Sequence, residues 1–163
     1  MESVASILET RRAPWPDEGA CAETARAIAG HPALRDAFIE LHGPLGAGKT
    51  TFARHLLHGL GVAGPIKSPT YALMEPYRAD ASHGGFEIAH CDFYRFDDPG
   101  EWEDAGFRDV FANPGLKIVE WPEKAAGLVP ECDLRVWITP RDASEARVVR
   151  FEALSATGRE LLP

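Results

Sequence analysis

Gly43-Pro44-Leu45-Gly46-Ala47-Gly48-Lys49-Thr50 fits the pattern G-x-x-x-x-G-K-[ST] at every fixed position. The run 37–41 before it is compact and apolar and reads as a buried strand. Residues 50–60 after it carry Phe52, Leu56, Leu57 and Leu60 at helical spacing, and Gly61 ends the run. Strand, glycine-rich turn and helix in that order form a cradle for phosphate. Glycines let the backbone curl so that successive N–H groups converge on an anion, and the helix start adds the positive end of its dipole. The expected cofactor-binding set is Leu45, Gly46, Ala47, Gly48, Lys49, Thr50 and Thr51. Lys49 brings a mobile cation to the β- and γ-phosphates, and Thr50 offers a hydroxyl to Mg²⁺. No Asn-Lys-x-Asp segment is present to read guanine, so a GTPase is not expected.

The chain around this loop has 163 residues, 45% of them hydrophobic and 26% charged. That suits one soluble globular domain over 1–163, with residues 1–13 a variable N-terminal strand. No apolar run is long enough for a membrane helix. Residues 1–12 carry Glu2 and Glu9 and no long apolar core, so no secretory signal is expected. The formal net charge of -8 makes autonomous binding to DNA or RNA unfavourable, because phosphate neutralisation needs clustered Lys and Arg. Cys21, Cys91 and Cys132 are far apart in sequence and form no C-x-x-C pair. They read as reduced thiols of a cytoplasmic protein.

Working outward, residues 3–8 read as a strand, and Pro14-Trp15-Pro16-Asp17 as a break. Residues 20–29 read as a helix with Asp17 as its N-cap and Gly30 as its stop. Residues 71–77 and 86–93 both look extended across the polar loop 80–85, which predicts an antiparallel hairpin. Residues 99–105 read as a short acidic helix and 116–121 as a strand stopped by Pro122. A further helix is expected before a final strand pair, 134–139 and 146–154. The fold class is α/β: a P-loop NTPase three-layer α/β/α domain with a mixed, mostly parallel central sheet and an antiparallel hairpin.

A metal bound to nucleotide also needs a carboxylate, and ligands of parallel sheets sit beyond the carboxyl ends of strands. Two strands end in one, at Asp92 and at Glu120, and either could serve. His90, Asp92 and Tyr94 alternate, so in a strand they share a face, and Arg95 follows. That group could orient water or bind phosphate; a structural histidine and a core tyrosine are the alternative.

The Walker-type stretch through Thr51-Phe52, then Lys67-Ser68-Pro69-Thr70-Tyr71, His90-x-Asp92-x-Tyr94-Arg95 and Val119-Glu120-Trp121-Pro122 resemble, in order and spacing, the TsaE (YjeE) family. The similarity runs over nearly the whole chain. The resemblance implies an ATPase that binds ATP, hydrolyses it slowly and acts with TsaD and TsaB. Those proteins place threonylcarbamoyl on adenosine 37 of tRNAs reading ANN codons, so tRNA is met through the complex, with no membrane and no DNA involved. It further implies that Lys49 and Asp92 are catalytic, that Thr50 and Glu120 hold Mg²⁺, and that Glu18 borders the adenine. Ser68, Pro69 and Thr70 would form a switch-like loop. Pro44 stands where the family usually has Asp, removing a carboxylate and a backbone donor; the main cradle donors lie from Gly46 onward. Two rival functions remain: a small P-loop metabolite kinase, for which Arg141, Arg147 and Arg150 would have to reach over the phosphates, and a nucleotide-gated binding module without useful hydrolysis.

Overall fold

The structure, a computed structural model, describes residues 6–69 and 71–163. Seven strands form one sheet in the order β1-β7-β6-β2-β5-β4-β3. They are β1 (Glu9–Trp15), β2 (Phe38–His42), β3 (Met74–Arg78), β4 (Glu87–Asp92), β5 (Leu116–Glu120), β6 (Leu134–Pro140) and β7 (Arg147–Ala153). The central strands β6, β2, β5 and β4 are mutually parallel, and antiparallel partners close both sides. The sheet is therefore mixed, with the expected hairpin formed by β3 and β4. The central strands read as buried on both faces, as parallel strands must be.

The helices are α1 (Glu18–Ala29), α2 (Lys49–Gly59), α3 (Pro99–Asp104), α4 (Phe107–Ala112) and α5 (Ala156–Leu161). Alternation along the strands makes two cores. Ile39, Leu41, Leu116, Ile118, Val136 and Phe151 face α1 and α2, while Phe38, Cys91 and Val119 join Phe93, Trp102 and Phe107 beneath α3 and α4. Asp17 caps α1, accepting from the N–H of Ala20 at 2.9 Å, and Gly30 follows its last residue, as expected. Asp98 and Glu101 form a capping box at α3. Beyond β2 the second face carries a paired polar ladder. Arg135 meets Glu40 at 3.3 Å, the His42 and Trp137 rings stack at 4.1 Å, and the Trp137 Nε1–H donates to Glu152 at 2.7 Å.

Several expectations are corrected. The first strand is β1, later than 3–8, of which residues 3–5 lie outside the described set. Pro14 and Trp15 belong to β1 instead of breaking the chain. Proline is tolerated there because β1 is an edge strand, and Pro76 sits in β3 at the opposite edge for the same reason. The helix expected after β5 is only a 3₁₀ turn over Pro122–Ala125. The six-residue helices α4 and α5 were not foreseen. All three cysteines are free and buried, and burial pushes the thiols of Cys21 and Cys91 up to about 12 and raises that of Cys132. Among the described residues no helix is long and apolar enough to cross a membrane.

Helix α5 lies so close to the sheet that a Cβ on Gly158 would sit 1.9 Å from the Asp133 carbonyl oxygen. Ser155 caps this helix at the Gly158 N–H and donates to the Asp133 carboxylate at 2.7 Å, whose other oxygen accepts from the Phe38 N–H at 2.8 Å. Gly158→Ala is therefore expected to cost about 1–3 kcal/mol through overpacking. Equilibrium denaturation checks this; an unchanged midpoint would show that α5 can move away without loss.

Candidate functional site

The phosphate loop leaves the end of β2 and enters α2 at Gly48, in the order that the motif demands. Its first glycine is required by packing as well as by conformation: Gly43 has φ +148°, and a Cβ there would stand 2.4 Å from the Ile138 carbonyl oxygen. Gly46 and Gly48 have φ of +77° and +107°. A turn within the loop closes from the Ala47 N–H to the Pro44 carbonyl at 3.1 Å, so Pro44 serves as an acceptor and its missing N–H is not used there.

Lys49 and Thr50 start α2, and Asp92 and Glu120 end β4 and β5, where they stand opposite each other in the parallel register. Lys49, Asp92 and Glu120 are nearly buried. The four side chains meet in a cavity of about 290 Å³ lined also by Leu45, Gly46, Ala47, Gly48, Thr51, Ser68, Tyr94 and Trp121. The Lys49 ammonium donates to the Gly43 carbonyl and lies over the Trp121 ring, 3.4 Å from its centroid. Desolvation pulls its pKa below the ordinary lysine value, opposed by the charges of Glu120, Glu123 and Asp92. The Thr50 hydroxyl donates to Glu120 Oε1 at 2.8 Å. Asp92 accepts from the Tyr94 N–H at 2.9 Å and from the Ser68 hydroxyl at 3.4 Å.

The oxygen donors fit Mg²⁺. One hydroxyl and one carboxylate touch each other in the wall of a phosphate-sized cavity, and Mg²⁺ is usually held by one or two protein oxygens plus phosphates and waters. Among the described residues no group of three or more His, Cys, Asp and Glu could hold a metal alone, so an ion here would depend on the nucleotide for its remaining ligands.

A second cavity of about 150 Å³ adjoins the first through Ala47, Gly48 and Thr51, and Trp15, Asp17, Glu18, Cys21, Glu145 and Arg147 complete its wall. Glu18 thus lines a cavity next to the phosphate loop; its carboxylate pairs with His55 at 3.0 Å. Of the switch-like loop, Ser68 reaches the cavity and Pro69 is buried outside its lining, while Thr70 lies outside the described residues.

The placements of five residues differ from what the sequence suggested or were not foreseen. His90 sits behind Glu120, with Nε2 2.7 Å from Oε2, and is not among the described residues lining the phosphate cavity. Arg95 lies at the surface on the Tyr71 ring, 4.5 Å from its centroid. Trp121 occupies the left-handed region at φ 57°, ψ 47°, immediately before Pro122. A bulky residue rarely adopts that conformation, and here it lays the indole on Lys49. Arg147 turns to loop carbonyls and Arg150 lies 5.1 Å from the Trp137 ring, so neither covers the phosphates as a kinase lid would.

A model of the family described as threonylcarbamoyl adenosine biosynthesis protein TsaE matches residues 15–149. The chain belongs to the TsaE family. The tRNA threonylcarbamoyladenosine biosynthesis protein TsaE of Haemophilus influenzae is 41% identical over 124 residues, 76% of this chain and 75% of that protein. The protein of the same name from Bacillus subtilis is 33% identical over 116 residues, 71% and 69% of the two chains. The crystal structure of Bacillus subtilis YdiB shares the fold, with a TM-score of 0.73 at 23% identity over 94% of this chain and 91% of that one. TsaE membership places the chain among proteins of tRNA threonylcarbamoyladenosine biosynthesis.

Proposed function

We propose that this chain binds ATP with Mg²⁺ and hydrolyses it slowly as an accessory to threonylcarbamoylation of adenosine 37 in tRNAs reading ANN codons. It acts with TsaD and TsaB, as one cytoplasmic P-loop domain. The observation that carries this reading is that Lys49, Thr50, Asp92 and Glu120, drawn from three elements, converge on one cavity at the phosphate loop.

In this reading Lys49 turns from Gly43 and Trp121 onto the β- and γ-phosphates. Loop N–H groups hold the polyphosphate, and Glu18 borders the adenine in the adjoining cavity. Thr50 and Glu120 hold Mg²⁺, which supplies charge neutralisation to the phosphate oxygens when bound. His90 fixes the Glu120 carboxylate from behind, leaving Oε1 toward Thr50. Asp92 orients the attacking water and senses the γ-phosphate through the 68–70 loop. Hydrolysis by the isolated chain is slow because no arginine is among the described residues lining the phosphate cavity, and phosphoryl transfer is greatly accelerated by one.

Reconstitution of tRNA modification with TsaD, TsaB and this chain tests the reading. Repeated turnover should require this chain together with hydrolysable ATP, and a non-hydrolysable analogue should not sustain it. If adding the chain leaves multiple-turnover modification unchanged, the reading fails. Transfer of phosphate to a small-molecule acceptor would instead favour the metabolite kinase.

The net charge of -8 adds a further expectation. The chain alone should bind tRNA weakly, with binding appearing only when TsaB and TsaD supply a positive surface. Filter binding across a salt series checks this; tight, steeply salt-dependent binding by the isolated chain would contradict it.

A further inference from the structure

Arg147 opens β7 and directs its guanidinium at main-chain carbonyls. Nε donates to Ala47 O at 2.7 Å and Nη2 to Gly46 O at 3.4 Å, while Nη1 donates to Ser144 O at 3.1 Å and Ala146 O at 3.0 Å. Gly46 and Ala47 form the apex of the phosphate loop. They are held from a strand about a hundred residues further on in sequence. The peptide unit is planar and trans, so its C=O and the next residue's N–H point in opposite directions. Holding the Gly46 carbonyl therefore sets the Ala47 N–H, which closes the loop's turn onto Pro44 O at 3.1 Å. Holding the Ala47 carbonyl likewise sets the direction of the Gly48 N–H.

Packing holds this apex only at Ala47, whose methyl is buried in the core. A Cβ built on Gly46 or Gly48 would meet nothing within 4 Å, so no wall stands against the two glycines that flank it. A planar fork that grips two successive carbonyls is suited to stop their rotation; a lysine in its place would offer a point charge on a flexible stem.

We propose that Arg147 is a positioning residue for the phosphate loop: its fork pins the 46–47 and 47–48 peptide planes so that the Gly48 N–H is already aimed at the anion before nucleotide arrives. This rests on reading the cavity as the nucleotide site. It adds that the loop of this chain is preorganised from β7 and does not organise itself. The same guanidinium lines the adjoining cavity, so a direct contact to the nucleoside is the competing account to be separated.

The test uses Arg147→Ala and Arg147→Lys in the full chain, with two readouts. In the nucleotide-free protein, amide hydrogen exchange at residues 46–48 should accelerate about tenfold or more in the alanine variant, while the amides of β2 and β6 stay as in the parent. By calorimetry, affinity for MgATP and for inorganic triphosphate, which has no base or ribose, should fall by the same factor, about tenfold. Lysine should recover little of either, because it restores charge without the fork. A loss confined to ATP would overturn the proposal in favour of a nucleoside contact. Full recovery by lysine would overturn it in favour of a simple electrostatic field, and unchanged loop exchange would show that the loop sets itself. If the parent binds neither ATP nor triphosphate, the nucleotide reading fails, and the exchange measurement still decides the clamp. Should the alanine variant not fold, the lysine variant carries the exchange measurement with the same criteria.

Discussion

Lys49→Ala is expected to reduce MgATP affinity at least tenfold, to the point where productive binding is lost. Among the described residues that line the phosphate cavity Lys49 is the cation, set against the carboxylates of Asp92 and Glu120. Alanine would leave those two carboxylates facing a polyphosphate with only main-chain N–H groups and Mg²⁺ to offset them. Charge-assisted hydrogen bonds in a partly buried site contribute about 1.5–3 kcal/mol, which is about tenfold or more in affinity. The pocket is made for a mobile ammonium: its present partners are one carbonyl and one indole face, both of which it can leave without breaking an ion pair. Desolvation already disfavours its charge, and phosphate oxygens would reverse that penalty. Calorimetry with saturating Mg²⁺ decides it. Unchanged affinity in the alanine variant would mean that the polyphosphate does not lie against Lys49 at all.

How much of this was legible in the sequence depends on the distance over which each feature is determined. The phosphate loop, its strand and its helix are local: eight residues and their flanking periodicity specify them, and the Asp17 cap at α1 is legible for the same reason. The pairing of Asp92 with Glu120 was half legible, since each visibly ends an apolar strand but only the parallel register of β4 and β5 sets them side by side. The edge strand β1 was misplaced because Pro14 normally interrupts a strand, and only the position of β1 at the margin of the sheet makes it harmless. Helices α4 and α5 are too short to show a period and are held by contacts such as those of Phe107 and Gly158 with the rest of the fold. The grip of Arg147 on the loop and the backbone turn that lays Trp121 on Lys49 have no local pattern at all. Trp121 before proline was visible, yet nothing in that dipeptide specifies a left-handed backbone.

The two carboxylates should separate cleanly by mutation. Glu120 shares a hydrogen bond with Thr50 and is fixed from behind by His90, which is the arrangement of a ligand held in one orientation. Glu120→Gln keeps the shape and loses the charge that a hard cation prefers, so the Mg²⁺ concentration needed for ATP binding should rise about tenfold or more. Affinity measured without Mg²⁺ should change little. Asp92 bonds instead to the Tyr94 N–H and to Ser68 on the loop that faces the cavity. Asp92→Asn should leave MgATP affinity nearly as it is and lower single-turnover hydrolysis, measured with TsaD and TsaB added, by about a hundredfold, the smaller end of what a positioned acid or base contributes. Titrating Mg²⁺ against both ATP affinity and hydrolysis, for each variant with those two proteins added, gives the answer. If Asp92→Asn raises the Mg²⁺ requirement and Glu120→Gln does not, the two roles are exchanged; the register that puts both acids at adjacent strand ends permits that reversal. If both variants behave as the parent does, the reacting phosphate lies elsewhere, and convergence at the end of β4 and β5 serves the fold alone.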